Sequence, residues 1–116
     1  MSVTVSTSGS QTTTTTASAY GLVTATAQGV YQFVMNTVNL TSSATADWIE
    51  IQVFGQITST ATNRLIDVYT IVGPQSQTFF RTQPYVSPHS FSVFLFHKQF
   101  ALGSGTDFPW AVYLVT

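Results

Sequence analysis

Residues 90–110 read SFSVFLFHKQFALGSGTDFPW, and the reading of this stretch decides the fold. Its opening run, Phe91-Ser92-Val93-Phe94-Leu95-Phe96, is apolar except for Ser92. A strand with one wet face alternates apolar and polar residues; a strand covered on both faces is free of that constraint. The run therefore predicts a central strand buried on both sides, with Phe94 and Phe96 in the core and Trp110 nearby. Gly103 and Gly105, flanked by Ser104 and Thr106, signal a turn. Beyond it, residues 108–115, FPWAVYLV, form a second apolar run. Two such runs around a Gly-rich loop predict a hairpin that pairs residues 90–99 with 108–115 as the spine of a sheet protein.

Upstream of this spine the strand patterns are short and separated by turn signals. Residues 20–27 form one, Gly29 breaks it, and residues 30–40 form the next. There Tyr31, Phe33 and Met35 share one face, and Val30, Gln32 and Val34 the other. Residues 48–57 alternate cleanly, with Ile49, Ile51, Val53 and Ile57 on the expected core face. Trp48, Glu50, Gln52, Phe54 and Gln56 lie opposite, and Gly55 suggests a bulge or a close backbone approach. Residues 64–72 read as the hairpin partner of 48–57, and Gly73-Pro74 stops them. A weaker strand spans residues 77–82, and Pro84 and Pro88 bracket an extended connection. No segment shows a helical period with caps. The expectation is all-β: an antiparallel β-sandwich or jelly roll of seven or eight strands, forming one domain over residues 20–116.

Residues 1–19 stand apart. They are rich in Ser and Thr, with Thr12 to Thr16 in a row. Burying so few apolar side chains, at about 25 cal/mol per Å², does not offset an ordering cost of about 1–2 kcal/mol per residue. Thr nevertheless favours extended backbone. The segment is thus expected to be an N-terminal arm, mobile alone and ordered when added as a strand to a neighbouring subunit. Thr12, Thr14 and Thr16, with Tyr20 at its root, are the expected interface residues. On this view, deleting residues 2–16 leaves the melting temperature of the isolated domain nearly unchanged.

Composition bounds the chemistry. Only 6% of the 116 residues are charged, against about 25% in ordinary soluble domains. A net charge of −1 gives little protection against association, so a homo-oligomer is expected. Three basic residues, Arg64, Arg81 and Lys98, cannot neutralise a run of phosphates, so no nucleic-acid partner is expected. There is no Cys, hence no disulfide framework and no thiolate nucleophile. The first residues lack the basic and apolar regions of a secretory signal, and no apolar run reaches the length of a membrane helix. A soluble chain made in the cytoplasm, without a membrane partner, is the expectation.

No catalytic set assembles from the titratable residues. His89 and His97 are the only histidines, and His97 would share a strand face with Phe91, Val93 and Leu95. The acids are Asp47, Glu50, Asp67 and Asp107; Asp47 and Glu50, three apart, point to opposite faces of a strand. The loop Gly103-Ser104-Gly105-Thr106 lacks the Lys and helix of a phosphate loop. No catalytic, cofactor or metal site is expected. The aromatics carry more: Trp48 and Phe54 fall opposite the Ile/Val face. Either the fold covers both faces of their strand, or these rings mark a protein or carbohydrate contact.

One family resemblance enters here. The strands Tyr31-Gln32-Phe33-Val34-Met35 and Trp48-Ile49-Glu50-Ile51-Gln52-Val53, then Ser87-Pro88, then Lys98-Gln99 followed by the Gly-bearing loop and Phe108-Pro109-Trp110, resemble small virion proteins of tailed bacteriophages. The likeness is to the capsid decoration or cement type and covers residues 29–116. The chain departs from the pattern at Asp107, where a polar or basic residue is expected, and in its bulkier Phe100-Ala101-Leu102. The resemblance implies a non-enzymatic sandwich, often trimeric, that clamps neighbouring major capsid protein subunits on the virion. A tail, collar or fibre component is the alternative within the particle. A carbohydrate-binding module with Trp48, Tyr69 or Trp110 as stacking platform is the alternative outside it, and a small hydrolase a further one.

Overall fold

A computed structural model describes residues 3–13, 18–37, 48–56, 62–72, 79–87, 89–97 and 106–115. Thr14, Thr16, Ile57 and the Gly103–Gly105 loop lie outside the described residues. The described chain is all-β. Its strands are β1 (Val3–Thr13), β2 (Ser18–Ala25), β3 (Gly29–Asn36), β4 (Trp48–Gln56), β5 (Arg64–Val72), β6 (Phe79–Arg81), β7 (Tyr85–Ser87), β8 (Ser90–His97) and β9 (Thr106–Val115). One sheet runs β1-β9-β3, with β6 and β7 both on the free edge of β3; the other runs β2-β8-β4-β5. Every pairing is antiparallel. The pairs are nested: β1 with β9, β2 with β8, β3 with β6 and β7, and β4 with β5.

β6 and β7 behave as one interrupted strand. Pro84 has no N–H to give to a ladder, and Thr82 bridges the gap. Its N–H donates to the Phe33 carbonyl at 2.9 Å, its hydroxyl oxygen accepts from the Phe33 N–H at 3.2 Å, and its carbonyl accepts from Gln32 Nε2 at 2.7 Å. Counted this way, the sandwich has eight strands.

The core follows the period-2 rule. Tyr31, Phe33 and Met35 of β3, Ile49, Ile51 and Val53 of β4, Phe91, Val93 and Leu95 of β8, and Phe108 and Val112 of β9 are buried between the sheets. Tyr31 lies flat against Phe91, with centroids 5.0 Å apart and planes 7° apart, tying the layers together. The inward face expected for β4, at Ile49, Ile51 and Val53, and the β4–β5 pairing are present; on β3 the structure turns the Tyr31, Phe33 and Met35 face inward.

Three expectations are corrected. First, β8 and β9 do not pair with each other. β8 lies between β2 and β4, and β9 between β1 and β3. Each long apolar strand thereby gains a neighbour on both sides, and the inward residues of both enter the one core. Second, β8 is not buried on both faces. Phe91, Val93, Leu95 and His97 point inward at 0% exposure, whereas Phe94 is 36% exposed on the outer face. No third layer of described residues covers that face. Third, the N-terminal segment is not an arm lying away from the sandwich. β1 pairs with β9 from Val3↔Val115 to Thr13↔Thr106, and β2 pairs with β8 from Ser18↔His97 to Ala25↔Phe91.

The physical reason for the third correction lies in Trp110. This ring points inward beside Phe33, at a centroid distance of 6.1 Å. A Cβ on Gly9 would sit 2.9 Å from Trp110 Cζ2, so glycine is what lets β1 approach and the indole lie over its backbone. The segment needs few apolar side chains for this: it joins β9 through the strand ladder and the covered Gly9, and its Val3 and Val5 are more than half exposed.

Candidate functional site

The outer face of the β2-β8-β4-β5 sheet is the candidate site. β4 alternates Ile49, Ile51 and Val53 inward with Trp48, Glu50, Gln52 and Phe54 outward. β8 sets Phe96 opposite Glu50, Phe94 opposite Gln52 and Ser92 opposite Phe54. The result is two aromatic pairs. Trp48 and Phe96 have centroids 5.6 Å apart at 46°. Phe54 and Phe94 meet edge to face at 5.4 Å and 66°. Between them Gln52 Nε2 donates to Glu50 Oε1 at 2.6 Å. β5 extends the face with Val72 opposite Trp48, Thr70 opposite Glu50 and Val68 opposite Gln52. On the other flank Gly21 of β2 faces Phe94. Its absent Cβ would stand 3.5 Å from Phe94 Cε2, so the ring lies over bare backbone.

This face is apolar, aromatic and almost uncharged. Val72 is 48% exposed and Val68 39%, while Trp48, Phe54 and Phe96 are half-buried, largely against one another. Of the expected interface residues, the structure brings Trp48 and Phe54 together here. It does not bring Thr12 or Tyr20, and Thr14 and Thr16 lie outside the described residues. Thr12 sits on β1, where its hydroxyl donates to Asp107 Oδ1 at 2.5 Å. Tyr20 points between the sheets, its hydroxyl 3.2 Å from His97 Nε2 and its ring stacked on the imidazole at 5.6 Å. The expectation missed Phe94 and Phe96. The residues alone held no signal for them: Ser92, the one polar residue that shares their face by parity, is itself buried, its hydroxyl donating to Thr24 Oγ1 at 3.2 Å.

The other two platforms proposed for stacking are used within the fold. Trp110 packs on Phe33 and Gly9. Tyr69 meets Phe80 edge to face at 5.3 Å, and its hydroxyl is bound to that of Tyr85. This contact belongs to a seam joining the β5 edge of one sheet to the β6–β7 edge of the other. Gln83 N–H donates to the Tyr69 oxygen at 3.4 Å. Tyr85 O–H donates to Asp67 Oδ2 at 2.9 Å, leaving its oxygen to accept from Tyr69. The Tyr85 bond holds the Asp67 carboxyl below its ordinary pKa against a smaller opposing effect of burial; the Val68 N–H, Tyr69 and Gln83 add to the lowering. Burial pushes the Tyr85 hydroxyl up, and its bonds to Tyr69 and Asp67 push the same way. Tyr85 is thus a fixed proton donor, and the seam is a structural clamp.

His97 is fully buried on the inner face, and burial lowers its pKa. The folded protein therefore binds fewer protons here than the unfolded chain, whose imidazole titrates near pH 6.5. Stability should be fully present above that pH and fall as pH drops through it toward the lower folded value. Urea unfolding between pH 5 and 7 should show this slope, and His97→Gln should remove it. A wild-type slope that persists in the variant would assign it to another group.

Among the described residues no three His, Cys, Asp or Glu side chains come together as a metal ion requires. No described helix is long and apolar enough to cross a membrane. No family model matches the chain, and no curated protein or solved structure is significantly similar to it.

Proposed function

We propose that the chain is a non-enzymatic structural protein of a bacteriophage particle. In this reading it binds the capsid surface as a decoration or cement protein. The observation that carries the reading is the outer face of β2-β8-β4-β5: two aromatic pairs and two exposed valines around one carboxylate. Apolar faces of this kind mark contact surfaces, and aromatic anchors dominate binding energy at such contacts. We read the nested strand pairing as a jelly roll, an architecture that serves in viral capsid and lectin domains. Fold alone does not assign function, so the weight rests on the face. The partner is the major capsid protein or another virion subunit, and the chain assembles with its own copies, as a trimer. Binding that exists only on the assembled shell stabilises that shell by mass action.

The double variant Trp48→Ala/Phe94→Ala tests the reading. Loss of an aromatic anchor costs about 2 kcal/mol or more, so attachment to particles in co-sedimentation should weaken by about thirtyfold or more. The variant should still fold, as read by its circular dichroism. Unchanged attachment would remove the face from the contact. Locating the chain in a reconstruction of intact particles separates capsid from tail, collar or fibre.

A second reading has its own observation. The aromatic pairs flank the hydrogen-bonded Glu50 and Gln52 on one exposed surface. That combination of rings and polar groups also suits a carbohydrate. Saturable binding in a glycan screen, lost in the same double variant, would favour it.

A further inference from the structure

At one end of the sandwich the inward side chains become small. On β4 the series Ile49, Ile51, Val53 ends at Gly55. On β7 the inward position after Tyr85 is Ser87. Large core residues at these positions would have closed the space. Instead a cleft of about 360 Å³ opens between the sheets, with Ile66, Tyr85 and Phe91 among its walls. A Cβ on Gly55 would stand 2.4 Å from Ile66 Cδ1, so the glycine admits the isoleucine to that wall. The volume is at the lower end of the range for small-molecule sites, and predominantly apolar walls with a few polar groups are their usual make-up.

Gln56, Arg64, Ser87 and Ser90 bring polar groups to the cleft, and burial separates Arg64 from Ser87. Arg64, at the start of β5, is exposed and stands at the mouth. No described carboxylate pairs with it. Ser87 is 4% exposed, and its Oγ has no hydrogen-bond partner among the described residues. A buried hydroxyl in that state has lost its water without replacement; its oxygen is sealed from solvent, so it meets a ligand by turning about χ1 toward the cleft, and the bond then recovers the loss. The guanidinium selects a carboxylate, which it can engage through two parallel N–H bonds.

We propose that this cleft binds a small carboxylic acid with an aryl or alkyl body and a hydroxyl or carbonyl group at its far end. The carboxylate meets Arg64 at the mouth, the body lies on the exposed Leu65, Ile66 and Val86 of the lining, and the distal group meets Ser87 Oγ. The site is separate from the aromatic face and does not depend on the virion reading.

Three probes test it: para-hydroxyphenylpropanoate, phenylpropanoate, which lacks the hydroxyl, and para-hydroxyphenylpropanamide, which lacks the charge. Each is titrated by calorimetry and by amide chemical shifts. The hydroxy acid should bind saturably and shift the amides of Gly55, Ile66 and Ser87. The amide should bind about tenfold more weakly, in line with a lost charged hydrogen bond. Arg64→Gln should abolish the preference for acid over amide. Ser87→Ala should abolish the preference for the hydroxylated acid while leaving the melting temperature at or above that of the parent. Three results would overturn the proposal: no saturation by any probe up to its solubility limit, equal affinity for acid and amide, or shifts confined to residues outside the cleft.

Discussion

Phe91→Ala should destabilise the protein by about 3–5 kcal/mol, whereas Phe94→Ala, three residues away on the same strand, should cost less than half as much. Phe91 is fully buried between the sheets and stacks on Tyr31. Its removal loses the transfer energy of a whole ring and leaves a cavity between two rigid layers. Phe94 is 36% exposed and rests on Phe54 and Gly21. Its truncation loses one edge-to-face contact and opens no cavity, because solvent already reaches the site. Urea denaturation of the two variants measures the difference directly. The opposite ranking would mean that β8 is slipped by one residue, which would turn every side chain to the other face.

Deleting residues 1–13 should unfold the domain at 25 °C. β1 supplies the outer partner of β9 along its whole length. Without it, β9 becomes a long bare edge, and the Trp110 side chain loses the backbone on which it lies. Each lost ladder bond is worth about 1 kcal/mol net. Over a strand of this length the sum rivals the whole stability of a small domain, about 5–15 kcal/mol. Amide spectra of the truncated chain should collapse to the range of an unfolded protein. A truncated chain with the parent's melting temperature would restore the mobile-arm description. A milder probe is Gly9→Val, whose Cβ would meet Trp110 at 2.9 Å. It should lower stability without abolishing folding, since both the indole and the β1 edge can shift.

The two predictions touch the two places where the residues alone mislead, for different reasons. In β8 the run Phe91 to Phe96 is apolar on both faces, and period-2 parity cannot say which face is covered. The answer depends on what lies across the sheet, and across the outer face there is no described layer. An aromatic outer face imitates a core strand in this way, so Phe94 and Phe96 read as core, whereas alternation sets Trp48 and Phe54 opposite the Ile/Val face. In β1 the deficit of apolar residues was read as mobility. That argument counts side-chain burial and omits the backbone ladder, whose partner, β9, lies about a hundred residues away in sequence.

Local pattern was enough for much of the rest. Alternation over Tyr31, Phe33 and Met35 and over Ile49, Ile51 and Val53, with turn residues between runs and no helical period, determined an all-β sandwich, its core face on β4, and the β4–β5 hairpin. These features depend on side-chain parity and on neighbours in sequence, which the chain displays directly. Only the tertiary structure decided that β8 and β9 part into opposite sheets, that β1 closes one sheet, and that Gly55 and Ser87 leave a cleft at one end. Those features are set by which distant edges meet and how much surface each meeting removes from water, and that competition runs over the whole folded chain.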